Sequence, residues 1–386
     1  MNLRTLLLAL ALPAASLIGS NPLSAEDAAV PARWPEEKAA AWQKQHGWLR
    51  GCNFIPSNAI NQLEMWQAAT FDPATLDREL GWAAGLGFNS MRVYLHDLPY
   101  QQDPKAFLGR IDKFLALADK HHIGALLVLF DSCWDPDPKL GPQHAPTPGL
   151  HNSGWVQAPG RAVLEDPSRH AALEAYVRGV VGRFKDDRRV HGWDIWNEPD
   201  NDNASSYGKR EPANKAELVR PLMVRAFGWA RAAGATQPLT SGVWKGTWAD
   251  PAKLSPMERA QLELSDVISF HCYDKLDKLK ECVANLRRYQ RPLLCTEYMS
   301  RGSGSTFDPH LGYLKGESVA AFNWGFVAGK TQTIYPWDSW QKPYAGEPPL
   351  WFHDILRADG TPYRPAEAEY LRRTMGRAGS PAVPAP

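Results

Sequence analysis

Ile123-Gly124-Ala125-Leu126-Leu127-Val128-Leu129-Phe130 runs for eight residues without a polar side chain. A strand with one wet face alternates apolar and polar residues, whereas a parallel strand covered on both faces reads as a nearly continuous apolar run. The residues before it change period. Phe107, Ile111, Phe114, Leu115 and Ala118 keep helical spacing after an Asp103-Pro104 start, and His121-His122 close the helix, where a cation suits the C-terminus. One amphipathic helix followed by one doubly buried strand is the repeating unit of an α/β fold.

The same alternation extends in both directions. Apolar runs bounded by turn residues recur at Gly51 to Ile55, Phe88 to Leu95, Val190 to Trp196, Pro238 to Val243, Val267 to Tyr273, Pro292 to Tyr298 and Val319 to Phe326. Asp72-Pro73, Asp166-Pro167 and Asp308-Pro309 repeat the capping carboxylate with proline at the first helical position, and Leu173, Tyr176, Val177, Val180, Val181 and Phe184 mark another helix face. Eight strands alternating with helices in one domain predict a (β/α)8 TIM barrel. A doubly wound open sheet is disfavoured, because Gly51-Cys52-Asn53-Phe54-Ile55-Pro56 supplies no glycine-rich phosphate loop after the first strand.

Composition bounds the rest. The chain has 386 residues, 44% hydrophobic and 22% charged, with a formal net charge of +1, so no basic field draws it to nucleic acid or an anionic membrane. Residues 1–25 have the layout of a secretory signal: Arg4, the apolar run Leu6 to Leu12, then small residues up to Ala25. They predict a secreted or periplasmic protein, soluble after cleavage. Residues 26–45 read as a leader or first helix, 46–376 as the catalytic barrel and 377–386 as a Pro/Ala-rich tail. The five cysteines form no CxxC pair and no zinc-ligand spacing, so no metal or other cofactor is expected; a Cys272–Cys282 bridge is left open. Oligomeric state is left open too.

Chemistry in such a barrel gathers where strands end. The fourth run ends Trp196-Asn197-Glu198-Pro199 and the seventh Cys295-Thr296-Glu297-Tyr298, on opposite sides of the barrel mouth. Taken singly, a glutamate before proline can cap a helix, and an inward arginine–glutamate pair can be a buried ion pair. Two carboxylates facing each other are what glycoside hydrolysis needs: one protonates the leaving oxygen while the other attacks the anomeric carbon or activates water.

Asn197-Glu198-Pro199 on strand four with Glu297 on strand seven resembles the retaining glycoside hydrolases of the 4/7 (β/α)8 clan, most of all family 5, the cellulases and mannanases. The likeness spans nearly the whole barrel. It implies Glu198 as acid/base and Glu297 as nucleophile, with Glu198 largely protonated and Glu297 ionised at rest. It implies Arg92 beside the nucleophile, Asn197 on the sugar 2-hydroxyl, His271 and Tyr273 as the strand-six His-x-Tyr, and Trp324 as an aromatic platform. His271 and Tyr273 lie two apart and so share a strand face. Two departures stand out: His191 where relatives have an apolar residue, and a third strand ending Asp131-Ser132-Cys133-Trp134 without a histidine.

A carbohydrate substrate follows, cleaved in a β-linked oligo- or polysaccharide. Trp134, Trp155, Trp244, Trp248, Trp337 and Trp340 are candidates for outer subsites. The long connections after strands three and eight suggest a pocket more than an open cleft. A transglycosylase on the same site and a non-catalytic carbohydrate-binding barrel are the alternatives.

Overall fold

The computed structural model describes residues 32–376, so the expected signal segment and tail lie outside the described residues. Eight strands form one parallel sheet: β1 (Arg50–Asn53), β2 (Ser90–Tyr94), β3 (Gly124–Asp131), β4 (Val190–Asn197), β5 (Leu239–Thr240), β6 (Ile268–His271), β7 (Leu293–Tyr298) and β8 (Ala320–Asn323). Their order is β5-β4-β3-β2-β1-β8-β7-β6, and β1 pairing with both β2 and β8 curls the sheet round on itself. The remaining junction, β5 to β6, closes through Val243, whose N–H donates to Ser269 O at 3.1 Å and whose carbonyl accepts from His271 N at 3.0 Å. The expected (β/α)8 barrel is therefore present.

The run that decided the fold divides its side chains as a doubly buried strand must. Ala125, Leu127 and Leu129 enter the layer between strands and helices, together with Phe107, Ile111 and Phe114. Leu126 faces inward to the barrel floor with Leu294, Ala320 and Phe322, and Val128 faces the upper interior with Tyr94, Cys133 and Trp155. Helix Glu36–His46 sends Trp42 into the floor cluster, where Trp42 Nε1 donates to His191 O at 3.0 Å. His191 takes part in that floor: its Nδ1 lies 2.9 Å from Ser90 Oγ and its ring meets His46 edge-on.

Three of the four Asp-Pro starts act as the sequence predicts. Asp72 accepts from Ala74 and Thr75 N–H, Asp103 from Ala106 and Asp166 from Ser168, each with proline in the first turn. At the fourth, Asp308 has extended backbone (φ −96°, ψ 120°) and the regular turn starts at Pro309 as read, but no side-chain bond caps it. β5 is shorter than its apolar run because Ser241 N–H turns aside to Ser265 Oγ instead of a neighbouring strand. β8 stops before its run ends, since Gly325 adopts φ +78°. Among the described residues no helix is long and apolar enough to cross a membrane.

Candidate active site

Arg92, fully buried on β2, ties four strands together. Its Nη1 donates to Glu297 Oε1 at 2.9 Å and Asn53 Oδ1 at 2.7 Å, its Nη2 to Asn197 Oδ1 at 2.7 Å, and Nε and Nη2 both reach Asp194 Oδ2 at 3.0 and 2.8 Å. Burial works against its charge, but Tyr94, Asp194 and Glu297 hold the guanidinium firmly protonated. A buried cation between two carboxylates is costly unless every donor is used.

Glu297 ends β7 within this cage. Oε1 accepts from Arg92 and, at 3.0 Å, from the Tyr94 hydroxyl; Oε2 accepts from the Tyr273 hydroxyl at 2.8 Å. Burial and the neighbouring Glu297 push both tyrosines well above the usual phenol range, so each remains an O–H donor.

Glu198 follows β4 with φ +43°, a conformation rarely adopted by residues other than glycine and typical of functional strain. Pro199 bars continuation of the strand. Oε1 lies 2.8 Å from His271 Nδ1, and Oε2 accepts from Asn201 Nδ2 at 2.6 Å and from Cys133 Sγ at 3.2 Å. Burial acts to raise its pKa, yet His271, Cys133 and Asn201 outweigh it and hold the carboxyl below the ordinary glutamate value. The expectation of a carboxyl raised by burial and by Glu297 is corrected here, because the three donors were not foreseen.

His271 spans the pair, with Nε2 3.5 Å from Glu297 Oε1. One oxygen from each glutamate and one histidine nitrogen all lie within 4.8 Å of one another. Three such atoms could ligate a cation, but the Arg92 guanidinium already supplies the positive charge at Glu297 and would repel one.

The expected residues Arg92, Asn197, Glu198, His271, Tyr273 and Glu297 thus meet in one cluster. Asn197 is fixed at both ends, its Nδ2 donating to Asp131 Oδ1 at 2.9 Å. Trp324 lines the cavity, its ring roughly perpendicular to those of Tyr94 and Trp155. Sequence reading missed Tyr94, which shares its strand face with Arg92 two residues earlier. It also missed Asp194, a charge inside an apolar run, which must find a partner.

A cavity of about 390 Å3 opens over the cluster, lined by both glutamates, Tyr273 and the indoles of Trp134, Trp244, Trp324 and Trp337. The other tryptophans stand elsewhere: Trp340 stacks behind Trp134, while Trp155 and Trp248 are buried in packing. One wall joins the connections after β3 and β8. Asn152 N–H donates to Thr331 O at 2.8 Å, Tyr344 N–H to Gly149 O at 3.0 Å and Trp340 Nε1 to His151 O at 2.9 Å. All five cysteines are buried free thiols, so Cys272 and Cys282 are not bridged.

No protein-family model matches the sequence, and no curated protein matches it. Solved structures do resemble it. An exo-β-1,4-mannosidase, Op5Man5, from Opitutaceae bacterium strain TAV5 is 20% identical over 84% of this chain, with a TM-score of 0.55; the chain spans 59% of that protein's length. A GH5_18 protein from Streptomyces cattleya in complex with Manb1-4GlcNAc is 16% identical, over 87% of this chain and 82% of that one, with a TM-score of 0.54. A β-glucosidase, 1317, is 13% identical, over 87% of this chain and 99% of that one, with a TM-score of 0.56. At these identities the likeness establishes the fold: this chain has the (β/α)8 barrel of those glycosidase structures.

Proposed function

We propose that this chain is a retaining β-glycoside hydrolase, related to family 5, that cleaves a β-linked oligo- or polysaccharide. The observation that carries the reading is the pair of buried glutamates facing each other at the barrel mouth, with one oxygen of each within 4.8 Å of the other. Retaining enzymes set their carboxyl groups about 5–5.5 Å apart, while inverting enzymes need about 6.5–9.5 Å to admit a water. The glycosidases among the solved structures with this fold support the same class.

The two environments divide the labour. Glu297, oriented by Arg92, Tyr94 and Tyr273, attacks the anomeric carbon and forms a glycosyl ester. Glu198, in its protonated form and hydrogen-bonded to His271, protonates the departing oxygen. Ester formation removes the charge of Glu297, which lowers the proton affinity of Glu198 and suits it to deprotonate the incoming water. Asn197 is clamped by Arg92 and Asp131, and its second amide hydrogen meets Cys133 Sγ at 3.4 Å, a weak contact that a sugar hydroxyl beside Glu297 would replace. Export by residues 1–25 belongs to the same proposal, and mass spectrometry of the mature N-terminus tests it.

The enzymatic test is a panel of aryl β-glycosides and β-glycans. Wild type turns over at least one, and Glu297→Ala loses turnover. Azide then yields an α-glycosyl azide with Glu297→Ala and a β-glycosyl azide with Glu198→Ala. The opposite assignment of anomers reverses the two roles, and no turnover by wild type rejects the hydrolase. Disaccharide products carrying the added acceptor in place of free sugar would favour the transglycosylase.

A further inference from the structure

Two histidines carried by loops face the cavity from the joined wall. His151 belongs to the connection after β3 and His353 to that after β8; both are essentially unexposed, line the cavity and hold their ring centroids 5.4 Å apart. In each, Nδ1 meets a backbone carbonyl: His151 with Tyr335 O at 2.8 Å and His353 with Met299 O at 2.7 Å. A carbonyl oxygen only accepts, so Nδ1 carries the proton in both rings and Nε2 presents a lone pair. His353 Nε2 is buried without a partner. Native proteins rarely leave such an acceptor unmatched, and a ligand donor is one explanation for it.

The surroundings define the donor. Trp134 packs 5.5 Å from His151, and Trp337 and Tyr273 pack 5.8 and 5.6 Å from His353. Aromatic faces with two fixed acceptors suit a ring that offers C–H faces and hydroxyl donors. A sugar carboxylate would set its charge against two lone pairs. Burial holds His151 at about 4 and His353 well below the usual imidazole value, so neither becomes a cation near neutral pH.

We propose that His151 and His353 read hydroxyl groups of an uncharged sugar ring held against Tyr273 and Glu297, which makes them specificity-determining residues. The inference rests on the glycosidase reading above.

The test compares kcat/KM for the best aryl β-glycoside, its 3-, 4- and 6-deoxy analogues and the matching glycuronide. Wild type should favour the parent over at least one deoxy analogue and over the glycuronide by about tenfold or more. His353→Phe and His151→Phe should lose about tenfold or more on the parent while leaving the matching deoxy analogue within about twofold of wild type. His353→Gln, which keeps an acceptor, should recover part of the loss. Equal losses on the parent and every analogue mean packing alone and overturn the inference. Should the phenylalanine variants not fold, wild type decides: indifference to all three deoxy positions, or equal turnover of the glycuronide, overturns it while leaving the hydrolase standing. No turnover of any glycoside removes both.

Discussion

Cys133 stands 3.2 Å from Glu198 Oε2 where the sequence showed only a departure from the family pattern. Burial and the adjacent Glu198 push its thiol well up, so the sulfur keeps its proton and donates. Cys133→Ala removes one of the donors that hold the Glu198 carboxyl down. Its pKa should rise, and the alkaline limb of the kcat/KM profile should move to higher pH; an unmoved or lowered limb would separate Cys133 from the proton transfer. Tyr94→Phe should lower kcat about tenfold or more, because a hydroxyl that bonds Glu297, the proposed nucleophile, is lost with the ring retained. Arg92 and Asn197 were legible through the resemblance of their motifs to family 5, and His271 and Tyr273 also because residues two apart on a strand share one face. Tyr94 was legible by the same rule and went unread. Cys133, His151 and His353 were not legible, since a loop's course is set by the contacts it makes and not by a local period.

Elements were read more surely in kind than in extent. All eight apolar runs contain strands, but β5 and β8 end early where Ser265 captures an amide and Gly325 turns left-handed. A run of apolar residues records burial, and burial continues past the last ladder hydrogen bond. Capping is a local event and therefore readable: Asp103→Ala should cost about 1 kcal/mol in denaturant unfolding, by loss of the bond to Ala106 N–H. The joining of the two long connections depends on Gly149, which has φ +73° and whose added Cβ would fall 1.8 Å from Tyr344 O. Gly149→Ala should part these loops, raising KM at least severalfold while the melting temperature shifts by only a few degrees. A normal KM would show that the wall is not needed to hold substrate.

Across the whole molecule, buried titratable groups set opposing pH responses. Burial raises Asp354 to about 6, and its Oδ2 has no partner. Between about pH 4 and 6 the native chain holds a proton there that the unfolded chain has released, so this group's contribution to stability falls as pH rises. His151, held at about 4 against an unfolded value of about 6.5, acts the other way, its contribution falling as pH drops. Asp354→Asn should therefore gain about 3 kcal/mol relative to wild type between pH 4 and 7, read from denaturant midpoints at each pH. A constant difference would mean that Asp354 is not neutral in the native state at pH 4 to 5. The closure of the barrel has its own consequence. β3 and β4 share a ladder of six residue pairs, whereas β5 and β6 share no continuous ladder and meet through Val243, the bonds between Asp266 and Leu239, and the side chains of Thr240 and Ser269. Local opening should begin at that seam, so amide hydrogens of Val243 and His271 should exchange with deuterium sooner than those of Leu127 and Val128. His271, whose ring reaches both glutamates, then hangs from a stave beside that seam, and breathing there would loosen the tie between the two carboxylates before the joined wall gives way.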